Sequence, residues 1–141
     1  SFSKDLEVDL RKVPFLVEGN NDIVENSLFN LASKLSQEVY KITSYQRRRL
    51  HVAAVFANNF TNHMLKQAHD LCEQNDIPFS VLTPLIDETV SKIKTITPAQ
   101  AQTWPAIRHD DRTIAIHKKL LEGNYLKLYD LITDDIKETY K

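Results

Sequence analysis

Glycine is almost absent from this chain, with two in 141 residues, Gly19 and Gly123. A dinucleotide-binding fingerprint needs three closely spaced glycines and a phosphate loop needs a Gly-rich turn, so neither lies in this sequence. The single cysteine, Cys72, excludes an intrachain disulfide and a cysteine-rich metal site, and fits a reducing, cytoplasmic setting. Its apolar helical neighbours mark it for core packing. The five histidines are dispersed and none forms a His-Glu-x-x-His arrangement, so no metal is expected, and Asp110-Asp111 beside His109 reads as helix capping. A net charge of −1, from 18 basic and 19 acidic side chains, gives no field to attract a nucleic acid. No apolar run approaches the roughly 18 residues that cross a bilayer, and no signal-peptide pattern opens the chain, so no membrane association is expected.

What the chain does contain begins with a β-α-β pattern. Val13-Pro-Phe-Leu-Val17 is a short apolar run closed by Glu18-Gly-Asn-Asn21, a strand and its turn. From Asp22 to about Ser36, Ile23, Leu28, Leu31, Ala32 and Leu35 recur at helical spacing, and Glu38-Val-Tyr-Lys-Ile42 offers a second strand. Two strands and a helix leave apolar surface uncovered, because such units normally sit in a larger parallel sheet with helices on both faces. The polar opening Ser1 to Lys12 lacks a starting methionine, and together with the short sheet it predicts a chain cut from a longer product.

The composition changes after residue 43. Ser44 to Gln74 has no Pro or Gly and predicts one helix of about 30 residues, roughly 45 Å long. Ala53, Ala57, Phe60, Met64, Ala68 and Leu71 form its expected core seam. The stretch Leu50-His-Val-Ala-Ala-Val-Phe-Ala57 is apolar on nearly every side except at His51, so it is expected to be covered all round, with a second chain contributing. Asp76-Ile-Pro-Phe breaks the helix, Thr83-Pro84 restarts one, and Thr97-Pro-Ala-Gln100 fits a capping box. Asp111 is expected to cap a helix stopping at Gly123, and a last helix runs from about Asn124 to Thr139. The Arg47, Arg48, Arg49 run reads as a solvated face or as salt bridges at a domain boundary, with an anionic ligand as the alternative.

The tightest polar group lies on the long helix. His51, Asn58 and Asn62 are separated by seven and four residues, which puts them near one face of an uninterrupted α-helix; His63 turns away from them. An imidazole exchanges a proton near neutral pH, and carboxamides orient a carbonyl or hydroxyl. Two readings stand side by side: interhelical hydrogen bonding, or a stripe lining a cleft that another domain closes. The segment Thr97 to Arg108 concentrates Gln100, Gln102, Thr103 and Arg108 around two prolines, a donor-rich loop with one permanent cation, or simply a bend. Glu88 and Lys92 are spaced for an exposed ion pair, with Lys92 an outside candidate for a cleft cation.

His51-Val-Ala-Ala-Val-Phe-Ala-Asn-Asn-Phe-Thr-Asn-His63, Pro78-Phe, Leu82-Thr-Pro-Leu-Ile-Asp-Glu-Thr89 and Thr97-Pro-Ala-Gln-Ala-Gln-Thr-Trp-Pro-Ala-Ile-Arg108 resemble the C-terminal domain of a bacterial family. Its full-length members look like Rossmann-type NAD(P)-binding oxidoreductases, similar in layout to pyrroline-5-carboxylate reductase and the 6-phosphogluconate dehydrogenase superfamily. The resemblance implies that the β-α-β piece is the trailing edge of a nucleotide-binding domain whose glycine fingerprint lies upstream. It also implies that the helical part supplies substrate-facing residues and a dimer contact. His51, Asn58 or Asn59, Asn62, Thr89, Gln100, Thr103 and Arg108 are the positions carried over. The better-studied dehydrogenases place a Lys and an Asn one turn apart on the long helix; His51 and Asn58 stand nearest here. Trp104 occupies a position where a small residue is expected.

The expected fold is therefore mainly α, a helical bundle built on one long central helix and preceded by a small β-α-β remnant of a Rossmann-type sheet. Residues 1–43 belong to the nucleotide-binding domain, and 44–141 form a helical dimerisation and substrate-cleft domain. The expected function is a fragment, inactive alone, of an oxidoreductase using NADP or NAD on a small polar or anionic substrate. No cofactor is expected on the fragment itself. His51, Asn58 and Asn62 are the candidate catalytic residues, and Thr89, Lys92, Gln100, Thr103 and Arg108 the candidate substrate contacts. The rival is a non-catalytic dimerisation or ligand-sensing module.

Overall fold

A computed structural model describes residues 8–102 and 110–140. The fold is mainly α, with a two-stranded parallel sheet near its start. Strand β1 (Phe15–Val17) pairs with β2 (Val39–Lys41) in the register Phe15 to Val39, Leu16 to Tyr40 and Val17 to Lys41. Helix α1 (Asp22–Ala32) links them, capped by the Asn21 side chain, which accepts from the Val24 N–H. A parallel pair requires such a crossover, which is why an apolar-polar-apolar layout over some 25 residues folds this way.

Two groups tie this unit together. Gly19 approaches the first turn of α1 so closely that an added Cβ would lie 2.4 Å from the Glu25 backbone nitrogen. Ser36 is buried, donates to the Val13 carbonyl at 2.6 Å and accepts from the Glu38 N–H at 3.0 Å, joining the segments that enter both strands.

The long helix begins at Ser44 and ends at Glu73, without a break in helical structure, but not as a single α-helix. Helix α2 (Ser44–Ala54) passes into a π-turn (Val55–Phe60), and α3 (Thr61–Glu73) comes after it. Thr43 caps α2 in a capping box with Gln46. The chain forms two compact units, Ser1–Asn62 and His63–Lys141. The composition change at residue 43 and this boundary mark different things: the first starts the long helix, the second falls within it. Arg47 donates to the Leu16 carbonyl at 3.3 Å and meets Glu18 at 3.4 Å, fastening the first turns of α2 to β1.

In the second unit a 3-10 turn (Phe79–Leu82) leads into α4 (Thr83–Lys92), with Pro84 at a tolerated first-turn position, and α5 (Pro98–Ala101) carries the expected capping box of Thr97 and Gln100. Helix α6 (Asp111–Lys119) is capped by Asp110, not Asp111, since the Asp110 carboxylate accepts from both the backbone N–H and the hydroxyl of Thr113. Gly123 does not stop α6, which ends at Lys119; it opens α7 (Gly123–Thr139) in the left-handed region at φ 57°, where glycine carries no steric cost. Ile114 is buried, and His117 meets the Tyr129 hydroxyl at 2.9 Å to join α6 and α7.

Burial is sparse. Among the described residues Ala32 and Ile114 are the only buried apolar side chains. Of the expected seam, Met64, Ala68 and Leu71 are half-buried while Ala53, Ala57 and Phe60 are exposed. The expectation that Leu50 to Ala57 is covered all round does not hold within the chain: Val55 is half-buried, but Val52 is 55% and Phe56 64% exposed. Within the first unit no described segment packs over that face.

Candidate functional site

His51 sits near the end of α2, Asn58 and Asn59 lie within the π-turn, and Asn62 opens α3; all four are exposed. Among the described residues, no hydrogen bond engages their side chains, so the interhelical bonding that would explain them structurally is not made within this chain. A side chain also bonds into the π-turn: the Thr61 hydroxyl donates to the Phe56 carbonyl five residues back at 3.3 Å. Beside it, Phe56 and Phe60 pack edge to face with ring centroids 5.0 Å apart. An α-helix would set His51, Asn58 and Asn62 in one row. A π-turn winds one extra residue into the helix and rotates the residues beyond it by about 100° relative to α-helical phase. That alignment is therefore corrected: the three do not share one row.

The sequence signal for this winding is weak. Two adjacent asparagines in a helix interior are poor helix formers, because their side chains compete for backbone groups, and nothing else in Val55–Phe60 departs from helical spacing. Thr61 carries no mark in the sequence that sets it apart from an ordinary helix residue.

The substrate-contact candidates are held locally where they are described. Thr89 donates its hydroxyl to the Leu85 carbonyl at 2.9 Å. Lys92 pairs with Glu88 at 2.5 Å. The Gln100 side chain accepts from the Thr97 N–H at 3.1 Å, the closing bond of the capping box. Thr103 and Arg108, with Trp104 and His109, lie outside the described residues. His63 contacts Gln67, 3.1 Å between the imidazole Nε2 and the amide nitrogen.

Other polar clusters have structural partners. Glu18 accepts from the Ser44 hydroxyl and N–H and pairs with Arg47, and these bonds, the Ser44 hydroxyl's first, hold its carboxyl below the usual glutamate range. His69, Asp70 and Glu73 can bring ligand atoms within 4.8 Å of one another. Asp70 is already bound by Lys66, which depresses its carboxyl, and accepts from the Tyr125 hydroxyl at 3.4 Å, so an ammonium occupies the place a cation would take. An apolar groove of about 330 Å³ between α3 and α7 is lined by Met64, Ala68, Leu71, Tyr125, Leu128 and Ile132 among others, and none of the predicted site residues that are described lines it.

Comparison with known proteins decides the family. Residues 13–136 match the family described as Domain of unknown function (DUF2520). The chain belongs to that family. The crystal structure of "putative NADP oxidoreductase BF3122" from Bacteroides fragilis is 43% identical to this DUF2520 chain, with a TM-score of 0.87 over 98% of this chain and 54% of the other. Protein TM1727 from Thermotoga maritima superposes with a TM-score of 0.71 at 19% identity, over 85% of this chain and 50% of its own, a likeness of fold. The chain thus spans about half the length of these solved relatives. No curated protein matches the sequence. No helix among the described residues is long and apolar enough to cross a membrane.

Proposed function

We propose that this DUF2520 chain is the cleft-completing and dimer-forming part of an NADP-linked oxidoreductase, with the β-α-β unit as the trailing edge of a nucleotide-binding sheet and residues 44–141 as the helical partner domain. The observation that carries the reading is the set of exposed, unengaged side chains on the long helix: His51, Asn58, Asn59 and Asn62 make no hydrogen bond within the described chain, on a relative of a protein whose name speaks of NADP oxidoreduction.

In this reading the nicotinamide supplies the hydride chemistry, and the chain's residues orient a small polar or anionic substrate. His51 gives or takes the substrate proton, and one carboxamide of the π-turn holds the reacting carbonyl, imine or hydroxyl. Thr89, Lys92 and Gln100 have to give up their local bonds to serve as substrate contacts. The cofactor's phosphates belong to the other half of the longer protein, since the two glycines of this chain stand too far apart for a fingerprint.

The test is oxidation of NADPH by the full-length protein over a panel of 2-oxo acids and cyclic imines, with His51→Ala alongside. Loss of turnover of about a hundredfold or more supports the proton-transfer role; unchanged turnover removes it. The second reading, a dimerisation or ligand-sensing module, is favoured by the exposed Val52 and Phe56, and it gains if the intact protein binds NADPH without oxidising it on any member of the panel.

A further inference from the structure

We infer that Asn59, not Asn58, is the carboxamide that shares the His51 face, and that the π-turn Val55–Phe60 puts it there. The inference deepens the cleft reading and rests on it. In an α-helix each residue advances about 100°, so Asn58, seven residues on from His51, falls within about 20° of it while Asn59 falls roughly 80° away. The π-turn winds one more residue into the same span. The lag accumulates across the turn, so that Asn59 comes within about 20° of His51 while Asn58 drops roughly 80° behind. Asn62, beyond the turn, carries the full lag and falls on the same row as Asn58. One apparent stripe becomes two rows, His51 with Asn59, and Asn58 with Asn62.

The same winding orders the apolar side chains. In an unbroken α-helix Phe60 stands roughly 80° from Val52; with the π-turn it falls within about 20° of it, and its ring meets Phe56 edge to face at 5.0 Å, a contact that either winding allows. The His51–Asn59 row therefore runs beside an exposed apolar strip, polar atoms along one side and rings along the other.

This arrangement defines a ligand. His51 and Asn59 stand eight residues apart, roughly 10 Å along the helix axis, so a molecule touching both carries polar groups toward opposite ends and an apolar body between them. At one end the imidazole exchanges a proton; at the other the carboxamide both donates and accepts, and so discriminates a carbonyl or hydroxyl from a methyl group. Thr61 is a positioning residue. Its hydroxyl holds the Phe56 carbonyl inside the turn at 3.3 Å, and it acts on the ligand only through the phase it helps to maintain.

Two measurements on the full-length protein separate this inference from the cleft reading beneath it. The first ignores activity: isotope-edited NMR of the labelled protein reads the contacts from the Hα of Ala54 and Val55 to the amides of Asn59 and Phe60, which a π-turn brings together. Strong contacts of that type are expected, and a purely α-helical pattern overturns the inference whatever the enzyme does. The second compares Asn59→Ala with Asn58→Ala in NADPH oxidation over the same substrate panel. The expected result is a loss of about a hundredfold in kcat/KM for Asn59→Ala and less than about twofold for Asn58→Ala, with Asn59→Gln recovering part of the loss. Thr61→Val should lower kcat/KM and weaken the π-type contacts together, while Thr61→Ser keeps both. Equal losses at positions 58 and 59, or a loss at 58 alone, sink the inference. A parent protein that oxidises no NADPH on the panel sinks the reductase reading and the catalytic part of this inference, and leaves the geometry to the NMR contacts.

Discussion

Glu18 accepts two hydrogen bonds from Ser44, one from its backbone N–H at 2.6 Å and one from its hydroxyl at 2.8 Å. The pair joins the end of β1 to the first turn of α2, and Arg47 adds a cation at 3.4 Å. These donors bind the carboxylate and not the acid, so the Glu18 carboxyl lies below its ordinary value in the folded protein. The unfolded chain takes up this proton at a higher pH than the folded one. The stabilisation is therefore complete above the ordinary glutamate range and is lost as pH falls through the depressed folded value. Urea midpoints measured from about pH 6 down to about pH 3 should decline, and Glu18→Gln should flatten part of that decline. Equal slopes for parent and variant would show that the pairing does not persist in solution.

Gly19→Ala should destabilise the first unit by about 2 kcal/mol or more, because the new methyl group meets backbone rather than a side chain that can swing away. Gly123→Ala meets open space but keeps a backbone at φ 57°, so its cost is about 1 kcal/mol. Chemical denaturation ranks the two, and a larger loss at Gly123 would contradict the close approach at Gly19.

Ser36→Ala removes a buried hydroxyl that bridges the Val13 carbonyl and the Glu38 N–H and leaves both backbone groups short of a partner. A cost of about 1 to 3 kcal/mol is expected. Amide exchange at Glu38 should accelerate in the same variant; unaltered exchange there would mean that the bridge is not what orders the turn.

Which of these features are legible in the sequence depends on which interactions leave a local trace. The strand runs near Val13 to Val17 and Glu38 to Ile42 and the helix between them are patterned by burial on one face, so β1, α1 and β2 are legible. So is the Thr97 and Gln100 box, whose chemistry lies within four residues. The choice of Asp110 over Asp111 as a cap depends on which backbone leaves the helical region, and both residues offer the same carboxylate. The π-turn is a choice between hydrogen-bond partners one residue apart, and six residues carry too little periodicity to record it. For the candidate site, the shared direction of the side chains is not legible, since direction depends on that one inserted residue. Gln100 suits both a capping side chain and a substrate contact by residue type, and the structure has it capping.

The exposed strip of Tyr45, Val52, Phe56 and Phe60 makes the last prediction. Phe56 is the anchor of the strip at 64% exposure. If a second copy covers it, Phe56→Asp should shift light scattering from dimer toward monomer and weaken self-association by about a hundredfold or more, because a carboxylate is costly to bury in an apolar contact. Amide exchange at Asn62, off this strip, should stay unchanged. A dimer that survives the substitution would show that no second copy covers the strip.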